Sequence, residues 1–466
     1  MSKETLWARD GFKSRRGFIL ACIGSAVGMG NIWRFPIMVA RYGGMTFLLP
    51  YFLIVVLVGS SGVIEEFALG RRAQAGPIGA FGYCTEARNG PKKLGQAVGL
   101  IPIIGALMMA IGYTVVMSWI FKYTFMSLSG SLYAMGTDMG TIGGAFGGAA
   151  PEAETLREAL GMMLEGGVFG VGNGVWLLIG LAVVLVIMAL GVAKGIEVAN
   201  KIMMPVLFGL FVILAVYIGF QPGASEGYRF LLTLDPKGLI TPEVWIYAFG
   251  QAFFSLSVAG NGSVIYGSYL PKSENIPASA LRVALFDTLA ALLAAFVIIP
   301  AIGASGFAMA DIDPGPGLMF VYLVNILNGM PGGRIIGVIF YVAVLSAGLS
   351  SIVNLYEAPV ATMQEQFKLK RAPAVAAVGV TGAVVALLIQ PWTSQWMDVV
   401  SIYICPLGAA LSAAMFFLVL PHKEALEEVN RGAKKPIGGW FLPLGYVFIA
   451  LSVAALILGA RYGGIG

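Results

Sequence analysis

Apolar segments of about 20 residues or more follow one another along the chain, separated by shorter stretches that hold charges, Gly or Pro. A helix needs about 20 apolar residues to cross a bilayer, whereas the strands of a membrane barrel are short and alternate in polarity. The pattern therefore predicts an all-α polytopic membrane protein with about 11 transmembrane helices. The predicted spans lie near residues 17–41, 46–69, 98–129, 173–190, 199–220, 243–270, 279–306, 334–366, 372–391, 394–420 and 438–460.

The composition supports this class. Of the 466 residues, 58% are apolar and only 11% are charged. Soluble domains carry roughly 25% charged residues, so this surface suits lipid rather than water. The three Cys lie far apart and the chain has a single His. The sequence therefore lacks the clustered Cys and His of a zinc site and the Cys spacing of a disulfide framework.

Lys and Arg are unevenly distributed between the two sides of the predicted spans. Five of them precede residue 17, and no cleavage-site pattern of a signal peptide accompanies them. The positive-inside rule then predicts a cytoplasmic N-terminus, an extracellular C-terminus and a place in the cell (inner or plasma) membrane. The net charge of +5 faces anionic lipid, so we expect membrane lipid, and not nucleic acid, as a partner. Two long outer segments remain, near 130–172 and 306–333, and we expect the first to be a surface cover.

Two predicted spans contain runs of Gly and Ser at mid-membrane depth, at residues 24–31 in the first span and 255–263 in the sixth. Small residues also serve close packing of membrane helices, and for either run alone that interpretation stays open. Non-helical backbone at this depth is tolerated only around a protein-lined or water-filled site. Because the runs stand five spans apart, we expect discontinuous helices 1 and 6 in a 5+5 inverted repeat, as in many transporters.

This organisation divides the chain into five segments. They are a cytoplasmic N-terminal segment at 1–16, a first repeat with helices 1–5 at 17–220, an extracellular connection at 221–242, a second repeat with helices 6–10 at 243–420, and a cytoplasmic loop with helix 11 at 421–466.

Polar residues in two further spans are candidates for ion binding. Ser350 and Ser351, in the eighth span, could simply bond back to their own helix. Asp287, in the seventh, differs because a carboxylate inside an apolar run is costly and its default interpretation is functional. A hard cation with oxygen ligands is its simplest partner.

A set of motifs extends over nearly the whole chain: GSAVGMGNIWRFP at 24–36, YGG at 42–44, Pro50-Tyr51, QAFFSLS at 251–257, Ala347 to Ser351, and Asp398. These motifs resemble the neurotransmitter:sodium symporter family. The resemblance implies a Na⁺-coupled importer, not an enzyme, with ten core helices in two inverted repeats and here one additional helix. Broken helices 1 and 6 are a known property of the family.

The resemblance further implies two Na⁺ sites built from oxygen ligands. The first would use Ala26, Asn31, Ser255, Asp287 and the carboxylate of the substrate. The second would use Gly24, Val27, Ala347, Ser350 and Ser351. Because the substrate carboxylate is a ligand of the first ion, Na⁺ affinity and substrate affinity are coupled reciprocally.

The resemblance also predicts the class of substrate. Tyr113 matches the family tyrosine that holds a substrate carboxylate, although Tyr in a membrane helix more often serves packing or an interface. Gly28 stands where monoamine carriers have aspartate, which implies an amino acid with its own carboxylate. The expected substrate-binding residues are Ala26, Val27, Gly28, Gly30, Met109, Tyr113, Phe254, Ser255, Ser257, Gly260, Ser351 and Leu355.

The expected pocket walls favour a neutral hydrophobic or aromatic side chain. Gly260 leaves room for a large group, and Met109 and Leu355 provide apolar, adaptable surfaces. Asn261, beside Gly260, keeps a small or polar amino acid open as the alternative.

Gate residues are expected on both sides of the site. The outer gate would pair Arg34 with Asp398, above a lid formed by Phe254 and Tyr113. The inner gate would comprise Arg9, Glu365 and Tyr269, with Phe12 where the family usually has tryptophan.

Chloride-dependent relatives surround their anion with Tyr, Gln, Ser, Asn and a second Ser. The matching residues of this chain are Tyr51, Gln251, Ser255, Asp287 and Ala291. A fixed carboxylate beside Na⁺ can take the place of the anion, so we expect chloride independence.

Two other classes of membrane protein fit the sequence less well than a transporter. A channel or receptor could also contain broken helices, but a channel needs a continuous polar pathway and the expected gates interrupt one. An intramembrane enzyme would need a nucleophile with its base, or a metal cluster, at one depth, and the sequence offers neither.

Overall fold

The computed structural model describes residues 11–166, 172–258, 261–308 and 315–462, and within these ranges every regular element is a helix. The main helices are α1 Arg15–Ala26, α2 Gly30–Tyr42, α3 Met45–Ala73, α4 Pro77–Ala87, α5 Lys92–Ser129, α6 Met139–Ala149, α7 Leu156–Gly166, α8 Gly174–Ala189, α9 Val192–Gly219, α10 Ala224–Leu232, α11 Pro242–Ser255, α12 Gly262–Ser268, α13 Ile276–Ser305, α14 Leu318–Gly329, α15 Gly333–Phe367, α16 Arg371–Leu388, α17 Gln390–Val419, α18 His422–Asn430 and α19 Phe441–Tyr462.

The prediction of an all-α, multi-pass membrane protein is confirmed. In the described part of the chain, eight helices are long and apolar enough to cross a membrane, and the bent pair α1 and α2 raises the number to nine. The other two of the eleven predicted spans correspond to α8, which has 16 residues, and to the interrupted pair α11 and α12.

Several helices were not predicted from the apolar pattern. The two long segments predicted to lie outside contain short helices: α6 and α7 near 130–172, and α14 near 306–333. Trp119 in α5 donates through Nε1 to the carbonyl of Ala149 at 3.1 Å, which fastens the end of α6 to the membrane helices. On the opposite side, α4 and α18 are short helices between spans.

The first span breaks where the sequence predicts it. Ser14 is the N-cap of α1, and its hydroxyl accepts from the Gly17 amide at 3.0 Å. The helix ends at Ala26. Val27 is extended, and α2 then continues at an angle of 54°. Extended backbone in the middle of a span leaves carbonyl groups free to face a ligand.

The sixth span breaks at two residues with left-handed backbone. Ser257 has φ +56° and Asn261 has φ +50°, a conformation that non-Gly residues adopt rarely. Side-chain bonds hold both: Ser257 Oγ donates to the carbonyl of Ser25 at 2.6 Å, and Asn261 Nδ2 donates to Glu66 Oε1 at 2.9 Å. The two breaks are therefore bonded to each other across the core.

Two carboxylates hold the beginning of α1. Glu197 of α9 accepts from the Lys13 amide at 2.7 Å and from Ser14 Oγ at 2.8 Å. Glu274, just before α13, accepts from Arg15 Nε at 3.0 Å. These contacts fix the beginning of α1 to α9 and to the segment just before α13.

Arg71, at the end of α3, is fully buried. Its guanidinium donates to Glu428 Oε1 of α18 at 2.6 Å and to the carbonyl of Glu274, also at 2.6 Å. Removing one partner of a buried ion pair leaves an uncompensated charge and typically costs about 3–5 kcal/mol. This pair holds α18 against α3.

Candidate substrate and ion site

A cavity of about 60 Å³ lies between the two helix breaks. It is lined by Ser25, Ala26, Gly28, Gly30, Asn31, Ala106, Met109, Tyr113, Phe254, Ser257, Gly262, Ser351, Leu355, Ala358 and Cys405. One part of the lining is polar, at the break of the first span and Tyr113, and the other is apolar, at Met109 and Leu355. Such a wall suits a small molecule with a polar head and an apolar body.

Most of the residues predicted to bind substrate line this cavity. They are Ala26, Gly28, Gly30, Met109, Tyr113, Phe254, Ser257, Ser351 and Leu355. Ser255 lies behind the wall, and Gly260 falls outside the described residues.

Val27, also predicted to bind substrate, is not among the residues that line this cavity. It lines a separate space with Leu207, Phe211 and Leu293. Val27 is the extended residue that follows α1, whereas its neighbours Ala26 and Gly28 line the cavity.

Glycine is required at two positions of the first break, because side chains from the opposite wall of the cavity come close to the backbone there. A methyl group on Gly28 would lie 2.7 Å from Ser351 Oγ, and one on Gly30 would lie 2.7 Å from Cε1 of Phe254. Any side chain at these positions would therefore displace the opposite wall of the cavity.

Asp287 joins three spans beside the cavity. Its Oδ1 accepts from Asn31 Nδ2 at 2.7 Å and its Oδ2 accepts from Ser255 Oγ at 2.7 Å. All three side chains are at most 1% exposed. The sequence predicts the amide oxygen of Asn31 as an ion ligand, whereas here the amide nitrogen faces Asp287, because a carboxylate accepts and only the nitrogen donates.

A second group of oxygens lies where α1 meets α15. Ser350 Oγ donates to the carbonyl of Ala347 at 2.8 Å, the bond back to its own helix left open by the sequence. Ser351 Oγ is buried and has no hydrogen-bond partner among the described residues. A methyl on Gly24 would lie 3.2 Å from Ser350 Cβ, so these two predicted ligands of the second ion are neighbours.

The donor set fits Na⁺. All predicted ligands offer oxygen, and among them the buried hydroxyl of Ser351, which lies beside Gly28 of the break, has no hydrogen-bond partner in the described ranges. Within the described ranges no group of three or more His, Cys, Asp and Glu residues could hold a metal ion. Sites for Na⁺ here would rest on neutral oxygens and the single carboxylate of Asp287.

The residues that match the chloride positions of relatives are buried near Asp287. Tyr51 and Gln251 are 0% exposed, and neither the Tyr51 hydroxyl nor the Gln251 amide has a hydrogen-bond partner in the described part of the chain. Ala291 is also buried and adds no polar atom.

A vestibule of about 360 Å³ adjoins the cavity, on the side that the sequence predicts to be extracellular. Tyr113 and Phe254 line both spaces and so lie between them. The Arg34 guanidinium stands 4.7 Å from the centroid of the Phe254 ring, a cation–π contact. Arg34 and Asp398 both line the vestibule, with no direct ion pair between them among the described residues.

The residues predicted for the inner gate take part in two separate hydrogen-bonded contacts. Glu365 accepts from the amide of Gly76 at 3.0 Å, and Tyr269 donates to Glu357 at 2.7 Å. Arg371 also binds Glu357, at 2.9 and 2.6 Å. Phe12 packs edge-on against Tyr269, with centroids 6.1 Å apart. Arg9 lies outside the described residues.

Sequence reasoning missed Glu357 and five cavity residues: Ser25, Ala106, Gly262, Ala358 and Cys405. Helical spacing could have identified Ala106, three residues before Met109, and Ala358, three residues after Leu355. No sequence signal marks Cys405, which follows an irregular turn in α17.

The fold and the central site, set where two broken spans meet, define a multi-pass secondary transporter rather than an enzyme. A family model described as the sodium:neurotransmitter symporter family matches residues 9–137 and 153–457. The chain belongs to this family.

Relatives and a solved structure agree with this assignment. An uncharacterized sodium-dependent transporter of Bacillus subtilis is 30% identical over 98% of this chain and 99% of its own. The mouse sodium-dependent neutral amino acid transporter B(0)AT3 is 29% identical over 63% of this chain and 48% of its own. The crystal structure of MhsT in complex with L-phenylalanine matches with a TM-score of 0.80 and 31% identity, over 97% of this chain and 100% of that one.

Proposed function

We propose that this protein imports neutral amino acids with large apolar or aromatic side chains, coupled to Na⁺, by alternating access. The observation that carries the proposal is the cavity in which the first helix break, Tyr113 and apolar walls meet beside the buried Asp287. The names of two relatives support the substrate class, since one is a neutral amino acid transporter and the other structure holds L-phenylalanine.

The cavity orients such a substrate. Its carboxylate would lie at the break of the first span and Tyr113, and its side chain between Met109, Ala106 and Leu355. Gly28 offers no carboxylate of its own, so a decarboxylated amine would lack the anion that this end of the cavity needs. Asn261 bonds Glu66 and does not line the cavity, which weakens the alternative of a small polar substrate.

Two Na⁺ ions would accompany the substrate. Asn31, Ser255, Asp287 and the carbonyl of Ala26 would hold the first, together with the substrate carboxylate. Gly24, Val27, Ala347, Ser350 and Ser351 would hold the second. A bound Na⁺ supplies positive charge that attracts the substrate carboxylate. Binding of the ion therefore raises the affinity for the substrate, and binding of the substrate raises the affinity for the ion.

Asp287 would also make the transporter independent of chloride. Two Na⁺ ions and a zwitterion bring a net charge of about +2 into a region where uncompensated charge is costly. The carboxylate offsets part of this charge, and Ala291 lacks the hydroxyl with which chloride-dependent relatives bind their anion.

The two sides of the cavity would open in turn as the halves 17–220 and 243–420 move relative to each other. Arg34 and Asp398 would close the outer side over the Phe254 ring. The contacts of Glu365, Tyr269 and Arg9 would close the inner side. The N-terminus would lie in the cytoplasm and the C-terminus outside, in the cell membrane.

Competition binding tests the substrate class. Purified protein in NaCl is incubated with radiolabelled L-phenylalanine and a panel of unlabelled amino acids. We expect displacement by large apolar and aromatic amino acids, weak displacement by glycine and serine, and none by phenethylamine, which lacks the carboxylate. Equal displacement by phenethylamine would contradict the role assigned to the break at Gly28.

A further inference from the structure

Two buried asparagine oxygens beside the second ion cluster have no partner among the described residues. They are Asn200 Oδ1 in α9 and Asn354 Oδ1 in α15. Asn200 is 0% exposed and Asn354 is 4% exposed. Buried polar atoms are normally hydrogen-bonded, so each exception requires an explanation.

The amide nitrogens fix the direction of both oxygens. Asn200 Nδ2 donates to the carbonyl of Ile196 at 2.9 Å, and Asn354 Nδ2 donates to the carbonyl of Ser350 at 2.7 Å. Reversing either amide would place its oxygen against a carbonyl oxygen, so the hydrogen bonds determine which atom points outward.

Asn200 Oδ1 lies against Gly24, one of the proposed ligands of the second Na⁺. A methyl on Gly24 would lie 1.9 Å from this oxygen and 3.2 Å from Ser350 Cβ, so the oxygen lies in the seam where α1, α9 and α15 meet. Asn354 lies one helical turn beyond Ser350, towards the end of α15 at Phe367.

The seam runs from the ion cluster towards the side on which α1 begins. Glu197, three residues before Asn200, lies on the same face of α9 and closes that end. Its carboxylate accepts from Ser14 Oγ at 2.8 Å and from Lys201 Nζ at 2.5 Å. Loosening of these contacts at the start of α1 would open the seam to the cytoplasm.

We propose that Asn200 Oδ1 and Asn354 Oδ1 form a transient Na⁺ subsite through which the ion leaves the second site for the cytoplasm. This inference rests on the proposed Na⁺ coupling. A neutral amide oxygen is a hard ligand without the net charge that would trap the ion, and a series of weak sites allows an ion both to enter and to leave.

The test uses purified full-length protein and radiolabelled Na⁺, with L-phenylalanine present to keep the outer side closed. Association rate, dissociation rate after dilution into choline chloride, and equilibrium Kd are measured for the native protein, Asn200→Ala and Asn354→Ala. A stepping site lowers the barrier in both directions, so each variant should slow both rates by the same factor, roughly three- to tenfold, and leave Kd within about twofold. Thr362→Val, which removes a hydroxyl bonded to its own helix at Ala358, should change neither rate.

Three results would overturn the subsite. Unchanged rates in both asparagine variants would exclude it, and so would a Kd weakened more than about tenfold, because that indicates a direct ligand or a structural role. Equal slowing in Thr362→Val would show a general effect of altering α15. If Asn200→Ala does not fold, the same rates are measured for Asn200→Ser. A native protein that binds no Na⁺ would instead overturn the proposed function, and the subsite with it.

Discussion

Replacing Ser351 with alanine should reduce the stabilisation by Na⁺ without destabilising the protein in choline chloride. The hydroxyl of Ser351 is buried without a partner in the described part of the chain. A buried unsatisfied polar group costs about 1–3 kcal/mol, so its removal should leave the protein equally stable or more stable in choline chloride. The same change deletes an oxygen ligand from the proposed second Na⁺ site.

Linkage gives the size of the effect in NaCl. At a Na⁺ concentration of about 100 times Kd, binding stabilises the native protein by about 2.7 kcal/mol. If loss of one ligand weakens the affinity about tenfold, only about 1.4 kcal/mol of that stabilisation remains. The stabilisation by Na⁺ should therefore fall by about half in Ser351→Ala.

Thermal unfolding of the detergent-solubilised protein in the two salts measures both effects. The control is Ser346→Ala, one turn away on α15, whose hydroxyl donates to the carbonyl of Val342 at 3.0 Å. It should lower the melting temperature equally in both salts. Equal destabilisation of Ser351→Ala in both salts would show that the hydroxyl is structural and refute its role as a ligand.

Three further changes test the other parts of the site. Asp398→Asn should slow uptake much more than it weakens equilibrium substrate binding, because the residue lines the vestibule and not the cavity; loss of binding in folded protein would count against a gate. Native uptake should be equal in chloride and gluconate, while Asp287→Asn combined with Ala291→Ser should acquire chloride dependence; native uptake that stops in gluconate would exclude compensation by the carboxylate. Gly30→Ala should weaken substrate binding about tenfold, since its methyl would lie 2.7 Å from the lid ring, whereas Gly209→Ala, with open space around it, should not; equal affinities in the two variants would contradict this steric reasoning.

The sequence was most informative where a residue type is forced by backbone or charge. Gly28 and Gly30 were predicted from the motif at 24–36, and the structure supplies the reason, since a side chain there would meet Ser351 or Phe254. Asp287 was predicted because a carboxylate inside an apolar span requires a role. The apolar pattern located the long spans for the same reason, since lipid imposes their length.

Contacts between distant parts of the chain could not be predicted from one sequence. Arg71 and Glu428 are separated by 357 positions, and no local signal indicates that they pair. Tyr269 and Glu357 are a second example. The direction of Val27 also depends on how the break is folded, which glycine content alone does not determine.

The central claim is that a Na⁺ gradient drives amino acid uptake, and proteoliposomes test it directly. Vesicles loaded with potassium buffer are diluted into radiolabelled L-phenylalanine with external NaCl or choline chloride. Each Na⁺ that enters with a zwitterion moves about one charge, worth roughly 2.3 kcal/mol per 100 mV. We expect accumulation above the external concentration in NaCl, enhanced by an inside-negative potential, and only background uptake in choline. Accumulation in choline at the NaCl rate would contradict Na⁺ coupling.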